Sequence, residues 1–514
     1  EEELINVCQF PSWHPEHFLD VAEMASAVAI GYDWCYNYLA DSTRKIIEDA
    51  IQRNAFAPAW PIYEVAAKKK KTPLSRENNW NMVCNSGLVS SAIAIGNTYP
   101  EEASRIIHYA VKYTPNLLIS FAPDGVYNEG PGYWPFNGMY MTLFFDNLER
   151  NVGNDFGLPA YKGISNTADF YINLEGPSGH TFNFGDANSH IDNSGTFFYL
   201  SKYYHQPEVA AAYRRVLASA VKTYNSGGDA RLSRYFFLSI PWFDDAKPIK
   251  TAEEKKLTVF QGVTDFLFFN GANKTDSNRL YLAAKTGRPE WSHNDLDVGS
   301  FVLDCDGQRW AIDLGAGNYS LPKYFDYKPN GRRWTYFRKT NLAHNTLSID
   351  DKIANSEGQG ELIRFDENAA MPYGIFDISA AYPGQVSSAL RGFRLLSKDV
   401  ILVRDEIKLK QKNEKVSWRF LTKATVSING NIASLSQNGK HFYLKCLLAK
   451  GFSMTVHPAK PFTEKEKPIE SVNIIEINIE TSNSKDVIIP VLMGNNLMDI
   501  KNSAMTDTKL KEWK

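Results

Sequence analysis

Three stretches of the second half of the chain collect the residue types that do chemistry. They are Trp291-Ser-His-Asn-Asp-Leu-Asp-Val-Gly-Ser-Phe301, Trp310-Ala-Ile-Asp-Leu-Gly-Ala-Gly317 and Leu342-Ala-His-Asn-Thr-Leu347. They set His293, Asp295, Asp313 and His344 at the ends of expected strands, around two glycine-marked turns. Imidazole and carboxylate groups in that layout suit either a metal site or an acid/base site. The layout is costly to maintain for packing alone, which makes the chain an enzyme in expectation.

The first half offers a second set. Arg76-Glu-Asn-Asn-Trp-Asn81 sits at the mouth of a helix, and Phe121-Ala-Pro-Asp-Gly-Val-Tyr-Asn-Glu-Gly-Pro-Gly-Tyr-Trp-Pro-Phe136 is a proline- and glycine-rich loop carrying Tyr127, Glu129, Tyr133 and Trp134. Loops of this kind on a rigid scaffold are where binding residues gather. Asn78 and Asn79 equally suit helix capping, and Tyr133 an ordinary interface aromatic. Trp80 and Trp134 suit sugar stacking or core packing. His180, Asp186 and His190 belong to a polar loop that either reaches a cleft or stays on the surface.

The elements that must position these groups change in kind along the chain. Apolar residues recur at helical spacing over Phe18–Leu39, Asn81–Ile95, Glu101–Ala122, Phe136–Asn151, Tyr161–Leu174 and Glu208–Asn225. Repeated helix, loop, helix units of that length fit a toroid or a stack of helical hairpins. From about Leu257 the text alternates in short runs, with Asp306-Gly307, Asn429-Gly430 and Asn438-Gly439 as hairpin turns. The second half is therefore expected to be an antiparallel β-sandwich, with Pro241–Thr251 as the linker. The expected divisions are 1–244 for the toroid, 245–410 for the sandwich carrying His293 and the metal site, and 411–514 for a β-rich continuation.

Composition narrows the function. A chain of 514 residues is too long for one hydrophobic core. A net charge of −2 argues against nucleic acid as the main partner, since phosphate-backbone binding calls for a basic excess. The group Arg332, Arg333, Arg338 and Lys339 still suits an anionic ligand locally, while the run from Lys68 to Lys71 reads as a solvated face. Five widely spaced cysteines form no CxxC pair and imply no disulfide framework. No apolar run reaches the length of a membrane span, and the Glu-Glu-Glu start is unlike a signal region, so the chain is cytoplasmic or has lost a leader.

As a set, these residues resemble the heparinase II/III-like polysaccharide lyases. The resemblance rests on six features in order: a helical half followed by a β-rich half, Asn78-Asn79-Trp80, Asp124-Gly125 followed by Glu129 and Tyr133-Trp134, the His293 to Phe301 strand, the Asp313-Leu-Gly315 turn and His344-Asn-Thr-Leu347. It implies an α/α toroid followed by an antiparallel β-sandwich. It further implies Asn79 as the residue that neutralises a substrate carboxylate, Tyr133 as the catalytic acid or base, and His293 as the sandwich-side catalytic base. In some relatives a structural zinc is held at the positions that here are Asp295, Asp313 and His344. With an aspartate at 295, the set suits one structural zinc, or calcium or manganese better than a two-histidine site would, or else a metal-free network with His344 held by Asp313; no organic cofactor is implied. Trp80, Glu129, Trp134, His190 and Arg338 are the expected substrate contacts, Arg338 through a bidentate grip on carboxylate or sulfate.

The reaction so implied removes the C5 proton of a uronate in an acidic polysaccharide, and the amide of Asn79 would stabilise the resulting dianion. A phenol titrating near ~10 needs a nearby cation to act as base, whereas an imidazole near ~6.5 does not. Two other readings remain open: a glycoside hydrolase using Glu129 with Asp124 or Asp186, and a non-catalytic glycan-binding protein. The resemblance places the chain in the periplasm or outside the cell. It leaves the substrate open among heparan, chondroitin and dermatan sulfates, hyaluronan, alginate and other acidic glycans, and it leaves the oligomeric state open too.

Overall fold

The computed structural model describes residues 1–190, 194–228, 236–247, 255–481, 484–502 and 508–514. The linker expected at 241–251 falls partly on 248–251, outside the described residues. The chain forms two compact units. One comprises Glu1–Gly125, Tyr133–Ala168 and Asp192–Ile249; the other comprises Val126–Gly132, Asp169–Ile191 and Lys250–Lys514.

The first unit is helical. Its longest helices include Phe18–Cys35, Asn79–Ile95, Pro100–Tyr113, Trp134–Asn147 and Pro207–Asn225. Asn79–Ile95 is buried on all sides, because Cys84, Ser86, Gly87, Ser90, Ser91 and Ala92 are small enough for neighbours to approach. A Cβ on Gly87 would stand 2.2 Å from the Ala22 carbonyl oxygen of the helix Phe18–Cys35. The Ser91 hydroxyl donates to the Ala25 carbonyl at 3.0 Å across the same contact.

Several helices differ from expectation. The stretch from Glu101 breaks after Tyr113, where Pro115 opens a new short helix Pro115–Leu118. The helix expected over Tyr161–Leu174 shrinks to Thr167–Asn173, since Gly163 takes φ +96° and a 3-10 turn Ile164–Asn166 follows it. Asp41–Ile51, Ala57–Ala67 and Thr196–Tyr204 are additional helices. The first of these buries a single stripe that includes Thr43, Ile47, Ala50 and Ile51.

The second unit is built on antiparallel sheets. Strands β1 (Leu257–Phe260), β2 (Phe266–Asn270), β3 (Tyr281–Lys285), β4 (Phe301–Cys305) and β5 (Gln308–Ala311) form a five-stranded sheet in chain order. A sixth strand, β6 (Leu347–Ile349), edges a four-stranded sheet beside Lys415–Thr422. A third sheet has eight strands, with Val386–Ser397 and Val400–Leu409 near its centre. The three sheets share one core, to which Phe301, Trp310, Leu347, Phe393, Val403 and Trp418 belong.

The expected hairpin turns form. Asp306 and Gly307 join β4 to β5 with φ +53° and +69°, and Asn438 and Gly439 repeat the pattern at +50° and +73°. A buried cross-brace ties strands to the site loops: Arg391 grips Asp405 at 2.7 and 3.0 Å and donates to the Gly299 and Asn345 carbonyls. Asn345 in turn donates to the Phe301 and Ile312 carbonyls. Among the described residues, no helix is long and apolar enough to cross a membrane.

Candidate active site

The connection from β3 to β4, residues 286–300, carries His293, Asp295 and Asp297. His293 itself takes φ +66°, a left-handed conformation that a non-glycine residue holds only when its surroundings enforce it. They do. Its backbone N–H donates to the Tyr327 hydroxyl at 2.7 Å, and its carbonyl accepts from the Asp186 N–H at 3.0 Å. The next residue is pinned as well, since the Asn294 amide donates to the Asn128 carbonyl at 2.8 Å and Arg333 Nε donates to the Asn294 carbonyl at 3.1 Å. Gly185, at φ +68°, lets this loop approach: a Cβ there would stand 2.6 Å from the His293 carbonyl oxygen.

The imidazole is oriented by a carboxylate. His293 Nδ1 donates to Glu129 Oε2 at 3.0 Å, and both side chains are buried. Glu129 Oε1 accepts from the Tyr127 hydroxyl at 2.6 Å. An acceptor on Nδ1 sets the tautomer of the neutral ring, with the proton on Nδ1 and the lone pair on Nε2. That is the form a general base needs. Glu129, expected as a substrate contact, is thus the orienting partner of His293.

Behind this loop lies a buried quartet of charges. Arg333 Nη2 bonds Asp186 Oδ2 at 3.1 Å and Asp295 Oδ1 at 2.9 Å, while Lys339 Nζ bonds Asp186 Oδ1 at 2.7 Å and Asp295 Oδ2 at 3.0 Å. All four side chains are closed to solvent. Burial opposes the charge on Asp186, yet Lys339, Arg333 and the Tyr324 hydroxyl outweigh it and hold the carboxyl at about 2. Burial pushes Asp295 up, with Lys339 and Arg333 pulling against it. Asp295 was expected to ligate a metal; both of its oxygens are instead taken by cations of the chain.

His344 and Asp313 do meet. His344 Nδ1 bonds Asp313 Oδ2 at 2.8 Å, and Nε2 donates to the Arg338 carbonyl at 3.1 Å. Burial opposes a charged ring, but Asp313 overcomes it and raises the His344 pKa to about 8. The acid and histidine group that could hold an ion, among the described residues, is Asp297, Asp313 and His344, with ligand atoms within 4.8 Å of one another. Asp297 Oδ1 accepts from Lys285 Nζ at 2.7 Å, and its Oδ2 is buried with no hydrogen-bond partner.

In the helical unit, Asn79 is the buried first residue of its helix, and Asn78 precedes it without a side-chain capping bond. Tyr133 immediately precedes the helix Trp134–Asn147. Trp80 is half-buried, edge-on to His17 at 4.9 Å and beneath the Arg76 guanidinium at 5.3 Å. Trp134 does not offer a stacking face: it is buried, donates to Thr167 Oγ1 at 2.8 Å and packs on Phe197 at 5.0 Å. In the sandwich unit, the His190 ring lies 5.2 Å from that of His180. Arg338 is not presented to an anion either, since its buried guanidinium donates to the Leu314 and Pro468 carbonyls at 2.7 and 2.8 Å.

Comparison with known proteins places this architecture. Residues 270–503 match the family described as heparinase II/III-like, C-terminal. A heparinase III, the BT4657 gene product, superposes with a TM-score of 0.64 at 14% identity, over 95% of this chain and 68% of its own. The heparan sulfate lyase HepC from Pedobacter heparinus gives 0.59 at 13%, over 94% and 68%. A further heparinase III gives 0.64 at 12%, over 94% and 70%. No curated protein matches the sequence. The fold class read from the sequence, an α/α toroid followed by an antiparallel β-sandwich, holds.

Proposed function

From the match of residues 270–503 to the heparinase II/III-like C-terminal family, we propose that the chain is a polysaccharide lyase, cleaving a uronic-acid-containing glycan of the glycosaminoglycan kind by β-elimination. The observation that carries this reading is the Glu129–His293 pair, a carboxylate-oriented imidazole on a loop fixed from four sides.

In β-elimination the C5–H bond breaks, its electron pair forms a C4–C5 double bond, and the C4–O4 bond breaks with the pair leaving on O4. The C5 proton is weakly acidic because its removal adds charge beside an existing carboxylate. A neutral amide donor at Asn79 lowers that cost by hydrogen bonding the dianion. Tyr133 serves as acid to O4 and, where the proton and leaving group share a face, as base to C5. His293 is the base for the opposite C5 configuration, with Glu129 holding its tautomer and stabilising the imidazolium that forms. Trp80 and His190 are the substrate contacts retained in this reading. Acidic polysaccharides are met outside the cytoplasm, so the chain works in the periplasm or beyond the cell.

Hydrolysis through Glu129 and Asp186 has no comparable support, because Asp186 is committed to Arg333 and Lys339. Purified protein incubated with heparan, chondroitin and dermatan sulfates, hyaluronan and alginate tests the proposal. The expected result is growth of near-ultraviolet absorbance with at least one uronate polymer. Depolymerisation with no such absorbance contradicts it.

A further inference from the structure

We infer that Lys339 and Arg333 stand as fixed cations in place of the structural divalent metal implied by the family resemblance, so that the His293 loop is braced by charges belonging to the chain. A metal at Asp295, Asp313 and His344 needs a lone pair from each. Asp295 has given Oδ1 to Arg333 at 2.9 Å and Oδ2 to Lys339 at 3.0 Å. His344 has one ring nitrogen on Asp313 and the other on the Arg338 carbonyl.

The charge count points the same way. Two carboxylates, Asp186 and Asp295, face one guanidinium and one ammonium, all four fully buried. The quartet is therefore neutral in sum. A divalent ion added among these four side chains would bring uncompensated charge into a buried interior, which is strongly unfavourable.

The cations also do a metal's mechanical work. Lys339 Nζ joins Asp186, Asp295 and, at 3.5 Å, the Gly315 carbonyl, and so links three separate segments of the unit. Arg333 adds the Tyr324 carbonyl at 3.2 Å and the Asn294 carbonyl at 3.1 Å, the latter next to His293. Asp186, held by both cations, donates its N–H to the His293 carbonyl.

The inference stands apart from the lyase reading, because its readouts are metal content and unfolding rather than turnover. Elemental analysis of the purified full chain, with thermal unfolding before and after chelation, tests it. Expected are substoichiometric metal, an unfolding temperature unchanged by chelator or by added zinc or calcium, and a Lys339→Met variant whose sandwich transition falls by about 10 °C, as for a buried charge stripped of a partner. A stoichiometric metal whose removal lowers the unfolding temperature overturns it, as does Lys339→Met unfolding at the wild-type temperature. If Lys339→Met does not fold, the chelation result on the wild-type chain decides alone.

Discussion

Glu129 and His293 lie 164 positions apart in the chain and 3.0 Å apart in the fold. This pair makes a specific energetic prediction. His293→Ala should lower turnover by about 10²- to 10⁴-fold on substrates that use the imidazole as base. Glu129→Gln should lower turnover in the wild-type background and have little further effect in His293→Ala, because groups that act as one unit are not additive. Equal effects of Glu129→Gln in both backgrounds would make it an independent substrate contact. The sequence made His293 conspicuous but not its partner, since nothing in the spacing of an aromatic-rich loop tells a carboxylate that binds sugar from one that orients a ring. The same limit applies to Asp295 and Arg338, whose partners come from segments well removed in sequence. Trp134 suited sugar stacking and core packing alike in the sequence; as the first residue of the helix Trp134–Asn147 it is turned into the core.

At the scale of elements, the strand ends were the legible part. Alternation and Asp-Gly or Asn-Gly turns marked β4, β5 and their neighbours, and so put Asp313 just after β5 and His344 just before β6. Helix boundaries were less legible where a glycine or proline interrupts the pattern, as at Gly163 and Pro115. The contact between Phe18–Cys35 and Asn79–Ile95 depends on a missing side chain. Gly87→Ala should lower the unfolding temperature of the helical unit, with a cost of about 1–3 kcal/mol for overpacking against the Ala22 carbonyl. An unchanged transition would show that the two helices can separate freely. The Asp313–His344 pair makes the sandwich unit pH-sensitive. Its folded pKa of about 8 lies above the unfolded value near ~6.5, so its stabilisation is complete below ~6.5 and is lost as pH rises through about 8. The loss amounts to about 2 kcal/mol and should be read as a falling unfolding temperature over that window. His344→Gln should remove this step, and a step that persists in the variant would assign it to another group.

At the scale of the whole molecule, a chain of nearly neutral net charge gains little from long-range attraction to a polyanion, so recognition of its substrate must come from local contacts. The central claim is that the glycosidic link is broken by elimination rather than by water. Turnover in heavy-oxygen water, followed by mass spectrometry of the oligosaccharides, separates the two directly. The account predicts products that carry an unsaturated uronate at the new non-reducing end and no label introduced at the cleavage step. Products one water heavier, with one labelled oxygen per bond broken, would contradict it.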